Sequence, residues 1–112
     1  MSECIFCKII NKEIPAKIIY EDQNIIAFND INPQVKNHVL IVPKEHSSNV
    51  EEIKDSKVFE YLLSAAKKIA KELDISKSGY RLCLNTGPNA GQTVPHVHMH
   101  LLGGERLSDK MA

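Results

Sequence analysis

The fold class this sequence predicts is α+β, built on a mostly antiparallel sheet, and three observations predict it. Short β-branched or apolar runs recur between Pro, Gly, Asn and Asp: KIIYED, NIIAFND, HVLIV, YRLCLN and HVHMHLL. One long segment, Asp55 to Leu73, carries Val58, Leu62, Ala65, Ala66, Ile69, Ala70 and Leu73 at helical spacing, with lysines and Glu60 largely on the other face. Most links between the strand runs are short turns rather than helical crossovers. With 112 residues the chain reads as one domain, 1–112, large enough for a core yet small enough to favour a partner surface.

Taken in order, residues Cys4 to about Ile10 form a short helix with Ile5, Ile9 and Phe6 turned inward, and Asn11 to Ala16, holding Pro15, is a turn. KIIYED and NIIAFND are strands joined by Glu21-Asp22-Gln23-Asn24. Pro33 breaks the chain before HVLIV, a well-buried strand stopped by Pro43. Ser48-Asn49-Val50-Glu51 has the form of a helix capping box, and Asp55 or Ser56 is an N-cap for the long helix. Gly79 opens YRLCLN, and the loop TGPNAGQT leads into the last run. The expected sheet has about five strands.

That last run carries the chemistry. His96, His98 and His100 alternate with Val97, Met99 and Leu101, so on a strand the imidazoles share one face and the apolar side chains the other. Outward threonine or lysine would serve a merely polar face; three imidazoles point to a cleft. In the loop before them, Gly87 and Gly91 permit positive φ, and backbone N–H groups with Thr93 and an amide from Asn85 or Gln92 can hold phosphate oxygens. Glycine-rich turns are usually only turns, and this one gains meaning by feeding into the imidazoles. A neutral imidazole attacks phosphorus near pH 7, and a second imidazole can move the leaving group's proton. Phosphoryl or nucleotidyl transfer follows.

Composition removes other classes. Lys+Arg and Asp+Glu are both 14, so no basic field is available to hold a nucleic acid. MSECIFCKII is neither a signal peptide nor a membrane span, and three cysteines do not make a secreted disulfide framework, so a cytoplasmic protein with no membrane partner is expected.

The run from His96 to Leu102 resembles the histidine triad (HIT) family pattern, His-φ-His-φ-His-φ-φ with φ apolar. The likeness extends to IFCKIINKEIPAKIIYED, Asp30-Ile31-Asn32-Pro33-Gln34, HVLIVPKEH, Asn85 and GQTVPHVHMHLLGG, which is nearly the whole chain. Within the family it is similar to the nucleotide-binding, HINT-type branch. The resemblance implies a HIT-like fold, a homodimer whose sheets join into one, and cleavage of purine nucleoside 5′-phosphoramidates at the P–N bond. It implies that His98 is the nucleophile that becomes nucleotidylated, that His100 stabilises charge at the phosphate, and that His38 is a fourth histidine beside the triad. Asn85, Gly91 and Thr93 correspond to phosphate or leaving-group contacts, Asp30 to a ribose-binding carboxylate, and Phe6, Ile9, Ile14 and Ile31 to an apolar base pocket; for these last residues plain core packing is the competing reading. The tail ERLSDKMA lacks the tryptophan of some relatives, which leaves the preference among amines open.

Cys4-x-x-Cys7 has the spacing of half a tetrahedral zinc site; a redox pair is the other reading, though the thioredoxin context is missing. His46 and His96 are the unused candidate ligands, and some bacterial relatives resemble this chain in using such a Cys₂His₂ set for structural zinc. A purine nucleotide sensor without turnover, a metal-storage protein, and a dinucleoside polyphosphate hydrolase or phosphorylase-like transferase are the competing functions.

Overall fold

A computed structural model describes residues 4–111. Helix α1 (Ile5–Ile10) precedes strands β1 (Ile18–Glu21), β2 (Ile25–Asn29) and β3 (Asn37–Pro43). Helix α2 (Lys57–Glu72), β4 (Tyr80–Leu84) and β5 (Met99–Gly103) follow, with single 3₁₀ turns at Val50–Glu52 and Pro88–Ala90. The five strands form one sheet in the order β1-β2-β3-β5-β4. Every pairing is antiparallel. The α+β class and the strand count agree with the sequence.

One sheet separates two apolar layers, because alternate side chains leave a strand on opposite sides. On one side Ile25, Ala27, Val39, Ile41, Met99 and Leu101 pack against Leu62, Ala65, Ala66, Ile69 and Ala70 of α2. On the other side Ile26, Phe28, Leu40 and Val42 meet Cys4, Phe6 and Ile9 at α1. Strand β3, between β2 and β5, is covered on both sides, which is why VLIV, residues 39–42, is apolar throughout instead of alternating. Among the described residues no helix is long and apolar enough to cross a membrane.

Several local expectations are corrected. Ile5 is 47% exposed; only Phe6 and Ile9 of α1 turn inward, because a helix so short has one buried stripe. Ser48 and Glu51 make no capping box: the Glu52 carboxylate accepts from the Ser48 N–H at 3.4 Å, and the segment closes only a 3₁₀ turn. Ser56 is the N-cap of α2 without a side-chain bond, and Asp55 Oδ1 accepts from the Lys57 N–H at 3.0 Å instead. The histidine strand begins only at Met99, so His96 and His98 lie in the approach to β5. Their apolar partners still alternate into the α2 core, as Val97, Met99 and Leu101 do.

The Gly103-Gly104 pair has a steric reason. A Cβ on Gly103 would stand 2.8 Å from Ile75 Cδ1, and Gly104, at φ +92°, would place one 2.5 Å from Asn37 Nδ2. The end of β5 must pass close to the start of β3, which it pairs through Gly103 and Asn37.

Candidate active site and metal cluster

A cavity of about 680 Å³ opens on the α1 side of the sheet. Its apolar end is made by Phe6 and Ile9 from α1, Ile14 from the following turn, and Phe28 and Leu40 from β2 and β3; Asp30 and Ile31 stand beyond the end of β2. Its polar end is made by Asn85, Gly91 and Thr93 with His98 and His100. All the residues expected to hold a nucleoside therefore line one cavity. Ile31 is 91% exposed, a rim residue with no core packing to explain it.

Hydrogen bonding fixes which imidazole nitrogens are free. His98 Nδ1 lies 2.8 Å from the His96 carbonyl, which can only accept, so Nδ1 carries the proton and Nε2 keeps its lone pair. The ring is buried (8% exposed) and meets the edge of Phe6 at 5.0 Å and His100 at 5.1 Å between centroids. His38 Nδ1 accepts from the Gln34 backbone N–H at 3.1 Å, so its proton sits on Nε2, 2.8 Å from His100 Nδ1. His100 Nδ1 is then an acceptor, and its Nε2–H is a donor. Burial, helped by the His98 and His38 rings and opposed by Asp30, holds the His100 pKa down to about 4. Burial also lowers that of His38, again against Asp30. At neutral pH the pair is uncharged, and it presents one N–H to the cavity.

His38 does not line the large cavity. It lies with Gln34, Cys83 and Leu102 on a second one of about 370 Å³, which shares Asp30, Asn32, Asn85 and His100. Its effect on a reacting group passes through His100. Gln92 also departs from expectation: its amide donates to the Ser48 and Val94 carbonyls at 2.8 and 3.0 Å and accepts from the Gly87 N–H at 2.9 Å. That side chain shapes the loop and has no amide group left for phosphate. Gly87 and Gly91, both at φ +86°, give the loop its left-handed turns.

Four donors meet at the other end of α1. Cys4 Sγ to His96 Nδ1 and Cys7 Sγ to His46 Nδ1 are each 3.3 Å, Cys7 Sγ to His96 Nδ1 is 3.6 Å, and the two Nδ1 atoms are 3.0 Å apart. Zinc bonded to two thiolates and two imidazoles makes a tetrahedron with edges of about 3.3–3.8 Å, close to these spacings. His96 Nε2 donates to the Pro43 carbonyl at 2.8 Å, which leaves Nδ1 as the lone pair and holds the ring as ligating histidines are held. Burial, the hydrogen bond the Cys7 thiol donates to the Cys4 sulfur, and the charge of a Cys4 thiolate all raise the Cys7 pKa, so two thiolates side by side call for a cation. The set Cys4, Cys7, His46 and His96 is compatible with zinc. Asp30, His38 and His100 are as tightly grouped, but the Gln34 amide commits His38 Nε2 to carrying a proton, and a protonated nitrogen is no ligand.

Pocket-wall residues Phe28, Leu40 and Asn32 were missed from the sequence. Phe28 and Leu40 are direct partners across β2 and β3, so pairing those two strands in register would have placed both on one face.

The buried imidazole with a free lone pair, the neighbouring N–H donor and the glycine loop define a histidine-triad hydrolase. The chain matches the HIT domain family model over residues 11–107, and it belongs to that family. It is 42% identical to a purine nucleoside phosphoramidase of Escherichia coli, over 98% of this chain and 94% of that one. It is 44% identical to a 14 kDa zinc-binding protein of Zea mays, over 96% and 86% of the two chains. Among solved structures, a HIT family hydrolase from Clostridium thermocellum superposes with a TM-score of 0.95 at 49% identity, covering 100% of this chain and 99% of that one.

Proposed function

We propose that this protein is a purine nucleoside phosphoramidase that works through a nucleotidyl-His98 intermediate. The observation that carries the reading is the His98 tautomer: its Nδ1–H is held by the His96 carbonyl, and Nε2 is left as a nucleophile on the cavity. In the first step the Nε2 lone pair bonds to phosphorus, and the amine departs with the P–N electron pair and takes a proton from water. The hydroxide so formed then attacks phosphorus, the His98–P bond breaks, and nucleoside monophosphate leaves. One water accounts for both steps. The His100 Nε2–H donates to the phosphoryl oxygens, whose charge grows in each transition state. The loop at Asn85, Gly91 and Thr93 holds the same group, Asp30 takes the ribose hydroxyls, and Phe6, Ile9, Ile14 and Ile31 clasp the purine.

The same reading gives Cys4, Cys7, His46 and His96 to a structural zinc ion. That ion supplies no chemistry to phosphorus; it ties α1, which walls the cavity, to the approach to β5, which carries His98. It also gives the protein a homodimeric form. β4 is an edge strand whose Leu82 and Leu84 are half-buried, and Leu63 of α2 is 49% exposed, which supports an isologous contact through β4 and α2. Sedimentation at micromolar concentration should give a dimer, and a monomer refutes that part. Three cysteines, none of them in a disulfide, support a cytoplasmic location.

Steady-state comparison of adenosine 5′-phosphoramidates with diadenosine polyphosphates tests the substrate. Faster turnover of the phosphoramidates is expected. Preference for the polyphosphates would assign the protein to dinucleoside polyphosphate hydrolysis, and binding of AMP without turnover of either would make it a nucleotide sensor.

A further inference from the structure

The single proton of His38 faces two acceptors. With Nδ1 held by the Gln34 N–H, His38 Nε2–H lies 2.8 Å from His100 Nδ1 and 3.4 Å from Asp30 Oδ2. The His38 side chain is 4% exposed, so water has little part in settling the competition. Asp30 Oδ1 is already engaged, accepting the Asn32 N–H at 2.8 Å. Oδ2 is therefore the oxygen left for a ligand hydroxyl, and it is also the oxygen that draws on His38.

We propose that Asp30 couples ribose binding to catalysis: hydroxyls that donate to Oδ2 withdraw it from His38, whose proton then goes wholly to His100 and strengthens the His100 Nε2–H as a donor to the phosphoryl oxygens. This rests on the phosphoramidase reading above. Three donors point one way, from the Gln34 amide through His38 and His100 to phosphate, and each link of such a chain polarises the next. A carboxylate that pulls on the middle link weakens the last one. Because phosphoryl charge grows toward the transition state, the gain falls on kcat, whereas the ribose contact itself falls on KM. His38 is a positioning residue in this scheme, since it acts only through His100.

The test compares adenosine and 2′,3′-dideoxyadenosine 5′-phosphoramidates of the same amine. On the wild-type enzyme the dideoxy substrate should lose kcat by up to about five-fold, the worth of one whole neutral hydrogen bond, besides raising KM. His38→Asn retains an acceptor for the Gln34 amide but is too short to reach His100. There the two substrates should have equal kcat while the KM difference remains. An unchanged wild-type kcat, or a kcat difference that persists in His38→Asn, overturns the proposal. A second readout needs no turnover and no variant. In ¹⁵N-histidine-labelled wild-type protein, AMP should move the His38 Nε2–H resonance further downfield than 2′,3′-dideoxy-AMP does, and identical shifts at saturation overturn the proposal. If no phosphoramidate is turned over, the functional reading fails by itself, and the resonance comparison still decides the coupling.

Discussion

Replacing Phe6 by alanine tests how the nucleophile is held. Phe6 is 5% exposed and presents edges to Phe28, His96 and His98 at centroid distances of 5.6, 5.9 and 5.0 Å. Only two side chains of the six-residue α1, Phe6 and Ile9, are buried. Each is worth about 1.5–3 kcal/mol, so apolar burial docks the helix by about 3–6 kcal/mol. Removing the larger ring takes away about half of this and adds the cavity left behind. In zinc-free protein, where Cys4 and Cys7 do not tether α1, the helix should then open locally about a hundred times more often, well before the sheet unfolds. Hydrogen exchange reads this at Asn11 and Glu13, whose N–H groups bond to the Cys7 and Lys8 carbonyls at 2.9 and 2.8 Å. Nucleotide affinity and kcat should fall together, because one ring walls the base pocket and steadies His98. Phe6→Leu should lose less on all three measures. If exchange at Asn11 and Glu13 in Phe6→Ala stays within about two-fold of wild type, Phe6 does not hold the helix and the reasoning fails.

Elemental analysis of protein purified without added metal should find about one zinc per chain, lost in a Cys4→Ser/Cys7→Ser variant; two freely titrating thiols and no metal would refute the cluster. Acid should destabilise the fold through His38 and His100. Both have folded pKa values below the unfolded 6.5, so the unfolded chain takes up protons first, and stability present above pH 6.5 is lost as pH falls toward the folded values. For His100, at about 4, the loss reaches about 3 kcal/mol, and urea unfolding at pH 7 and pH 4.5 with His100→Asn as reference measures it. Gly104→Ala should cost more stability than Gly91→Ala: both sit at positive φ, which costs about 1–2 kcal/mol, but only at Gly104 does a Cβ run into Asn37. Equal thermal shifts would show that the β3–β5 crossing is not tight.

Much of the fold was legible because period-two and helical patterns report burial directly. The five strand runs and the α2 stripe are such patterns, and HVLIV announced a strand covered on both sides. Ends were less legible: Ser48, Asn49, Glu51 and Glu52 all offer capping groups, and only the three-dimensional path selects Glu52. In the site, His98, His100 and the glycine loop were readable as residue types suited to phosphate chemistry, whereas Asp30 was reached only through the family resemblance. The divergence of His96 from its two neighbours was not readable from the repeat alone. It follows from Cys4 and Cys7 arriving from the far end of the chain, 92 and 89 residues away. Gln92 is a polar residue in the right loop whose amide bonds internally, and composition cannot separate that from a ligand contact. The tautomers of His38, His98 and His100 are set by the Gln34 N–H and the His96 carbonyl, backbone groups that every sequence carries and none advertises.

The central claim is that His98 Nε2 bonds to phosphorus. Wild-type enzyme mixed with an adenosine phosphoramidate, quenched within the first turnovers and digested under alkaline conditions that preserve P–N bonds, should yield an adenylylated peptide with the nucleotide on His98. His98→Ala should form no adduct and turn over nothing, yet still bind AMP. An adduct on another residue, or a His98→Ala enzyme working at near wild-type rate, would contradict the account.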